Sequence, residues 1–165
     1  MLDFLLSSLQ DYPYLYVFLI SMLPIIELRG GMIAAITALG LPFPSSYLVC
    51  VIGNLLPVPF LLLFGERVLV WCAKFPKIGG FFSRILVKAD EKAHKIGKWE
   101  LLGLMIFVAI PLPGSGAWTG SGIATLLRLR PLYAFFAIAL GVLLAGVIMG
   151  FASFGLLGVL QAVLS

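Results

Sequence analysis

Two charged residues stand close together in an otherwise apolar part of the chain. Glu27 and Arg29 lie between Pro24 and the pair Gly30-Gly31. A carboxylate in apolar surroundings can take up a proton or a cation, and a guanidinium can hold an anion or a phosphate. The alternative is a buried ion pair that only caps a broken helix.

A second candidate segment, Pro111–Gly122, offers backbone and hydroxyl groups in place of charges. Its glycines can expose N–H groups, and a helix starting near Trp118 would direct its positive end toward the same region. Together with Arg29 this segment could hold an anionic group. Close helix packing is the alternative, because Gly116 and Gly120 have a small-xxx-small spacing. The candidate residues of the segment are Pro111, Pro113, Gly114, Ser115, Gly116, Trp118 and Thr119.

Asn54 is a further candidate, because it lies inside a long apolar run just before Pro57 and Pro59. It can bond to backbone groups freed by those prolines, which we favour, or line a pathway. The sequence contains no Walker A lysine, no metal-ligand cluster and no Ser/His/Asp set. We therefore expect neither an enzyme nor a cofactor.

Composition indicates the elements that hold these residues. Hydrophobic residues make up 62% of 165 and charged residues 11%, against roughly 45–50% and about 25% in soluble domains. A core of this size cannot enclose so much apolar surface. Because helices satisfy their own backbone in lipid, we predict an all-α integral membrane protein.

The charges are unevenly distributed. Segment 66–98 carries eight Lys and Arg residues against three acidic ones, so the positive-inside rule predicts that it is cytoplasmic. Its part 81–98 has the pattern of an amphipathic helix on the membrane surface. Nucleic-acid binding is a disfavoured alternative. The basic residues are Arg67, Lys74, Lys77, Arg84, Lys88, Lys92, Lys95 and Lys98.

Only two apolar segments are long enough for full spans, which need about 20 residues. They are Ser46–Phe64 and Leu132–Gly150, with a bend expected near Gly150, Ser153 or Gly155. Tyr14–Leu23 and Leu101–Ile110 are shorter, and each runs into one of the tracts rich in Pro and Gly.

These short segments predict re-entrant hairpins that enter from opposite faces. Gly30–Ile36 resembles Gly120–Leu126, 90 residues later, so we predict two inverted repeats. A single membrane domain, 1–165, would contain repeat 1 (about 12–65), the cytoplasmic amphipathic connector 66–98 and repeat 2 (about 99–164).

Three motifs resemble the small multidrug export family of prokaryotic membrane proteins: PIIELRG at 24–30, GNLLPVPF at 53–60 and IPLPGSGAWTG at 110–120. The hairpin arrangement is also similar to the DedA superfamily. That resemblance implies movement of lipid phosphates, including the undecaprenyl phosphate carrier, by acidic and arginine residues in re-entrant hairpins. Glu27 and Arg29 match that pattern, whereas Pro111–Gly122 lacks both residue types.

We therefore expect a small secondary transporter in the prokaryotic inner (plasma) membrane. Its predicted activity is proton-coupled flipping of an anionic lipid phosphate, such as a polyprenyl phosphate carrier. Proton-coupled export of small hydrophobic drugs and a non-transport membrane scaffold are the alternatives. Expected partners are membrane lipid, a small amphipathic or anionic lipid substrate, protons or another ion, and further copies of the chain, but no nucleic acid.

Overall fold

The computed structural model describes residues 12–72, 98–112 and 114–164, and all regular structure within them is helical. This confirms the all-α prediction for the described residues. Apart from Lys98, the predicted surface helix over 81–98 lies outside them. The helices are α1 Pro13–Met22, α2 Glu27–Ile33 with a π-helical turn Ala34–Ala38, α3 Phe43–Leu55, α4 Pro57–Cys72, α5 Lys98–Ala109, α6 Ala117–Leu126 and α7 Pro131–Leu164.

Two stretches are long and apolar enough to cross a membrane, Phe43–Gly65 and Pro131–Leu156. The first joins α3 to α4 at Leu56, whose N–H donates to Ile52 O at 3.0 Å. The second lies in α7, which stays helical through Gly150, Ser153 and Gly155. Large apolar side chains are exposed along both stretches, as helices in contact with lipid require. They include Leu48, Ile52, Phe60, Leu63, Leu132, Phe136, Leu140 and Phe151.

The chain forms two compact units, and each span is divided between them. Unit 1 comprises Met1–Leu56 and Val142–Ser165. Within it α1 packs against α2 and α3, and α2 packs against α3. Small residues allow this close packing: a Cβ added to Gly31 would meet Ser21 Oγ, and it would lie 3.2 Å from Cys50 Sγ.

Unit 2 comprises Pro57–Gly141, in which α6 packs against α4 and α5. A Cβ added to Gly120 would lie 2.6 Å from Val108 Cγ2, so α5 and α6 approach closely at a glycine. Gly65 of α4 meets the side chain of Thr125 in the same way, at 2.7 Å. Glycine therefore sets the distance between helices in this unit too.

A left-handed residue ends the second helix of each hairpin. Gly40 has φ +63°, and Leu41 N donates to Ala35 O at 2.8 Å. Arg128 has φ +49°, and Leu129 N donates to Ala124 O at 2.9 Å. The second end has the 6→1 bond of a Schellman cap, and the bond of the first end spans one residue more, after the π-helical turn Ala34–Ala38. Each hairpin is thereby placed directly before its span.

Candidate functional site

The first hairpin is broken where the sequence predicts it. Residues 23–26 form a turn between α1 and α2, and Glu27 N donates to Leu23 O at 2.9 Å. The break is shorter than the tract rich in Pro and Gly, because Gly30 and Gly31 belong to α2. The glycines thus serve the packing of α2 rather than the turn.

Glu27 is the first residue of α2 and is buried, with 6% of its surface exposed. Its φ of +51° is in the left-handed region, which costs a non-glycine residue roughly 1–2 kcal/mol. Arg29 is half-buried, and the Glu27 carboxylate attracts its guanidinium electrostatically. The structure therefore brings this predicted pair together in the same short helix, on strained backbone at a break.

Asn54 lies near the end of α3 and is 3% exposed. Its Oδ1 atom is buried and accepts no hydrogen bond from any described residue. Buried polar atoms in proteins are nearly always paired. Asn54 is therefore a buried acceptor whose donor the described residues do not supply.

The second tract is non-helical at residues 110–112 and 114–116, and α6 begins at Ala117, one residue before the predicted start. Gly114 has φ +82°, and Gly116 is the extended residue that precedes the helix. Ser115 is 4% exposed, and its hydroxyl donates to Ile110 O at 2.6 Å, with Leu112 O also within reach at 3.0 Å. That hydroxyl faces the backbone of its own turn.

The remaining candidates of this tract differ in their exposure. Pro111 and Trp118 are half-buried and Thr119 is exposed, whereas Pro113 lies outside the described residues. Ser121, which follows, is buried and donates to Ala117 O at 2.7 Å. The hydroxyls of Ser115 and Ser121 are thus both turned toward protein carbonyls.

The sequence did not indicate an apolar groove in unit 2, open to the outside, with a volume of about 490 Å³. It arises because α4 packs beside the first turn of α7, a tertiary relationship that no local pattern encodes. The groove is lined by Pro59, Leu62, Leu63, Pro131, Leu132 and Phe135.

In unit 1 the chain itself covers the first turn of α3. The ring of Phe43 lies against Gly150, with its centroid 5.6 Å from that of Tyr47 and 6.1 Å from that of Phe154. Pro131 occupies the first helical position of α7, as Phe43 does in α3. Without that ring, the surface of unit 2 stays open.

The helices, their exposed apolar surfaces and the buried charge at a helix break define a helical membrane protein. The sequence profile of a family described as "Putative small multi-drug export protein" matches residues 27–148. The chain belongs to this family, which confirms the resemblance. No curated protein and no solved structure matches the chain. The similarity to the DedA superfamily stays a prediction.

Proposed function

We propose that the chain is a small secondary transporter that moves an anionic lipid phosphate across the prokaryotic plasma membrane, with a proton bound at Glu27. The observation that carries the proposal is the burial of Glu27 at a helix break, 6% exposed. Protonation removes the cost of burying a charge in apolar surroundings. Arg29, half-buried in the same helix, supplies a cation for the phosphate.

The two hairpin turns support a re-entrant arrangement, because their side chains are apolar yet exposed. Ile25 is 94% exposed, Leu23 48% and Leu112 58%. Turns that face water normally carry polar residues. We therefore place both turns inside the bilayer. Non-helical backbone at that depth has to be covered by protein, so a second copy of the chain is the expected neighbour.

Matching contacts within the two units support an internal repeat. A Cβ added to Gly53 would lie 2.6 Å from Phe18 O, and one added to Gly141 would lie 2.7 Å from Met105 O. In both cases a glycine of the span lies against a carbonyl of the first helix of the hairpin. With the positive-inside rule, the order hairpin–span–connector–hairpin–span makes the second repeat inverted.

The second helices of the hairpins align with a one-residue shift. Gly31 and Gly120 occupy matching places, since each meets the first helix of its own hairpin. This replaces the alignment of Gly30 with Gly120. The π-helical turn Ala34–Ala38 accounts for one additional residue in the first repeat, because the left-handed caps Gly40 and Arg128 then match.

Transport in proteoliposomes tests the proposal. A fluorescent polyprenyl phosphate would be followed from leaflet to leaflet under an imposed pH gradient. We expect Glu27→Gln to remove the effect of the gradient and Arg29→Ala to lower the rate roughly tenfold, since it removes a charge-assisted contact. Gly103→Ala is the matched control, because a Cβ there would have open space around it. Wild-type rates in both variants, with normal insertion, would refute the proposal.

Export of small hydrophobic drugs is the second candidate, and two observations favour it. The family description names multi-drug export, and the groove at Pro59, Leu63 and Phe135 has apolar walls that suit a hydrophobic molecule. The same proteoliposomes distinguish the two substrates. Gradient-driven movement of ethidium without movement of the polyprenyl phosphate would select drug export.

A further inference from the structure

We infer that Asn54 is a second ligand of the coupling cation, so that its amide oxygen and the Glu27 carboxylate share one monovalent cation, a proton or Na⁺. This inference rests on the proposed function and adds a residue of the first span to the site at Glu27. It gives the buried amide oxygen of Asn54 a role in binding the coupling cation.

The amide oxygen of Asn54 lacks a hydrogen-bond donor among the described residues. This Oδ1 atom is buried, in a side chain only 3% exposed. Leaving an acceptor buried and unpaired is costly. The cost is removed when a ligand supplies a proton or a positive charge at this oxygen.

The backbone around Asn54 has more carbonyl oxygens than amide hydrogens to pair with them. Pro57 and Pro59 carry no amide hydrogen, so neither can donate the helical bond that the carbonyl four residues earlier would receive. Those carbonyls belong to Gly53 and Leu55, on either side of Asn54. Oxygen ligands of this kind suit a proton or a hard cation, and carbonyls at helix breaks hold such ions in transporters.

Glu27 and Asn54 lie at the same height along the two packed helices α2 and α3. Only residues 39–42 separate the π-helical turn from α3, so the second helix of the hairpin runs antiparallel to α3. A Cβ on Gly31 would lie 3.2 Å from Cys50 Sγ, which fixes the register of the two helices. One turn further from the connection, α2 reaches Glu27 and α3 reaches Asn54. Both residues lie on the packed faces, since Glu27 precedes Gly31 and Asn54 follows Cys50 by one helical turn.

The surroundings offer little other charge. Among the described residues of unit 1, Arg29 is the only other side chain charged at neutral pH. The other titratable groups on the elements packed against α2 are Tyr14 and Tyr16 of α1 and Tyr47 and Cys50 of α3. Phenols and a buried thiol are neutral at ordinary pH. A cation that enters at Glu27 therefore meets oxygen atoms and one guanidinium.

The second repeat lacks both ligands. The places that match Glu27 and Asn54 are taken by Gly116 and Val142, where the repeat aligns Gly31 with Gly120 and Gly53 with Gly141. Gly116 has no side chain and Val142 has no polar atom. Each chain therefore binds one cation, held between the first hairpin and the first span.

Thermal unfolding of the full chain in detergent is the first measurement. Melting temperatures would be recorded against NaCl at fixed pH, with choline chloride keeping the ionic strength constant, and against pH without Na⁺. A ligand that binds only the folded state raises the melting temperature with its concentration. We expect the melting temperature of the wild type to rise with the concentration of either Na⁺ or protons. The one that raises it is the coupling cation.

Three substitutions then test whether the amide oxygen of Asn54 binds the cation. Leucine has a shape similar to asparagine but no oxygen, so we expect Asn54→Leu to fold. It should need roughly tenfold more of the same cation to reach the same rise in melting temperature. Asn54→Asp keeps an oxygen and should keep the response. Ser46→Ala is the control within α3, because that buried hydroxyl already donates to Pro42 O at 2.9 Å. Its response should equal that of the wild type.

The outcomes separate this inference from the proposed function. An unchanged cation response in Asn54→Leu, or no response to either cation in the wild type, overturns the assignment of Asn54. If Glu27→Gln still abolishes gradient-driven flux in that case, the proposed function stands without Asn54. If Glu27→Gln transports normally, the proposed function fails, and the titration of Asn54→Leu still decides whether Asn54 binds a cation.

Discussion

Gly53 of α3 lies directly against the backbone of Phe18 in α1: a Cβ added to Gly53 would be 2.6 Å from Phe18 O. Gly141 of α7 has the same relationship to Met105, at 2.7 Å. Real Cβ atoms essentially never come within 3.0 Å of another heavy atom. A carbonyl oxygen cannot rotate away as a side chain can, so a helix would have to move.

We therefore expect Gly53→Ala and Gly141→Ala to lower the free energy of unfolding by about 1–3 kcal/mol each. The matched control is Gly122→Ala, an exposed helical glycine of α6 with open space around its Cβ position. That change should be neutral or slightly stabilising, because alanine favours a helix over glycine. Unfolding in a denaturing detergent series measures all three, and equal stability of the three variants would contradict the prediction.

Local sequence signals were sufficient for the breaks and the spans. The prolines and glycines around Pro24 and Pro111 correctly predicted where each hairpin is interrupted, because both residue types disrupt helices. The first span begins at Phe43, three residues before the predicted Ser46, because proline is tolerated in the first turn of a helix. The left-handed backbone of Glu27 carries no comparable signal, since glutamate rarely adopts it.

Tertiary packing supplied the rest of the candidate site. Asn54 was recognisable as a polar residue in an apolar run, but the missing donor at its Oδ1 depends on every neighbouring helix. The groove at Leu62 and Phe135 likewise exists only after α4 and α7 pack together. Ser115 was predicted to face a ligand, whereas its bond to Ile110 O depends on the shape of the turn.

Arg128 occupies a place that favours glycine, since its φ is +49° and the matching residue of the first hairpin is Gly40. Replacing Arg128 by alanine removes the side chain but keeps the strained backbone, whereas glycine removes both. We expect Arg128→Gly to be more stable than Arg128→Ala by about 1 kcal/mol. Chemical unfolding of the two variants side by side measures this difference. Equal stability would show that the left-handed backbone at Arg128 costs nothing.

The tip of the first hairpin gives a prediction about depth in the membrane. Ile25 is 94% exposed and Tyr12, at the start of the hairpin, is 66% exposed, so protein shields neither. Position within the bilayer, against lipid or a second copy of the chain, would then protect Ile25 from a water-soluble reagent. In a background without Cys50 and Cys72, we expect Tyr12→Cys to react with a membrane-impermeant maleimide added to intact cells. Ile25→Cys should not react.

Cells opened by detergent provide the control for this labelling, because both cysteines should then react. Rapid labelling of Ile25→Cys in intact cells would place the tip in water. In that case the hairpin would not be re-entrant, and the apolar residues Leu23 and Ile26 around it would need another cover.

Ser115 decides whether the second tract serves a substrate or its own fold. Its buried hydroxyl donates to Ile110 O at 2.6 Å, and Ser115 N donates to Leu112 O at 3.2 Å, so the side chain ties the turn together. Removing the hydroxyl takes away one of two donors to Ile110 O, since Leu112 N also donates to it at 2.8 Å. We expect Ser115→Ala to lose about 1 kcal/mol in the free energy of unfolding, the net contribution of one hydrogen bond.

Thr119→Ala is the matched control, because Thr119 is exposed in the same tract and its change should stay within about 0.5 kcal/mol. Comparing stability with flux in the same preparations separates the two roles of Ser115. If Ser115→Ala loses stability but the folded fraction transports at the wild-type rate, the hydroxyl holds the turn. If stability is unchanged and flux falls, the Ser115 hydroxyl must leave Ile110 O during transport and bind the substrate. The turn would then change its conformation when it binds the substrate.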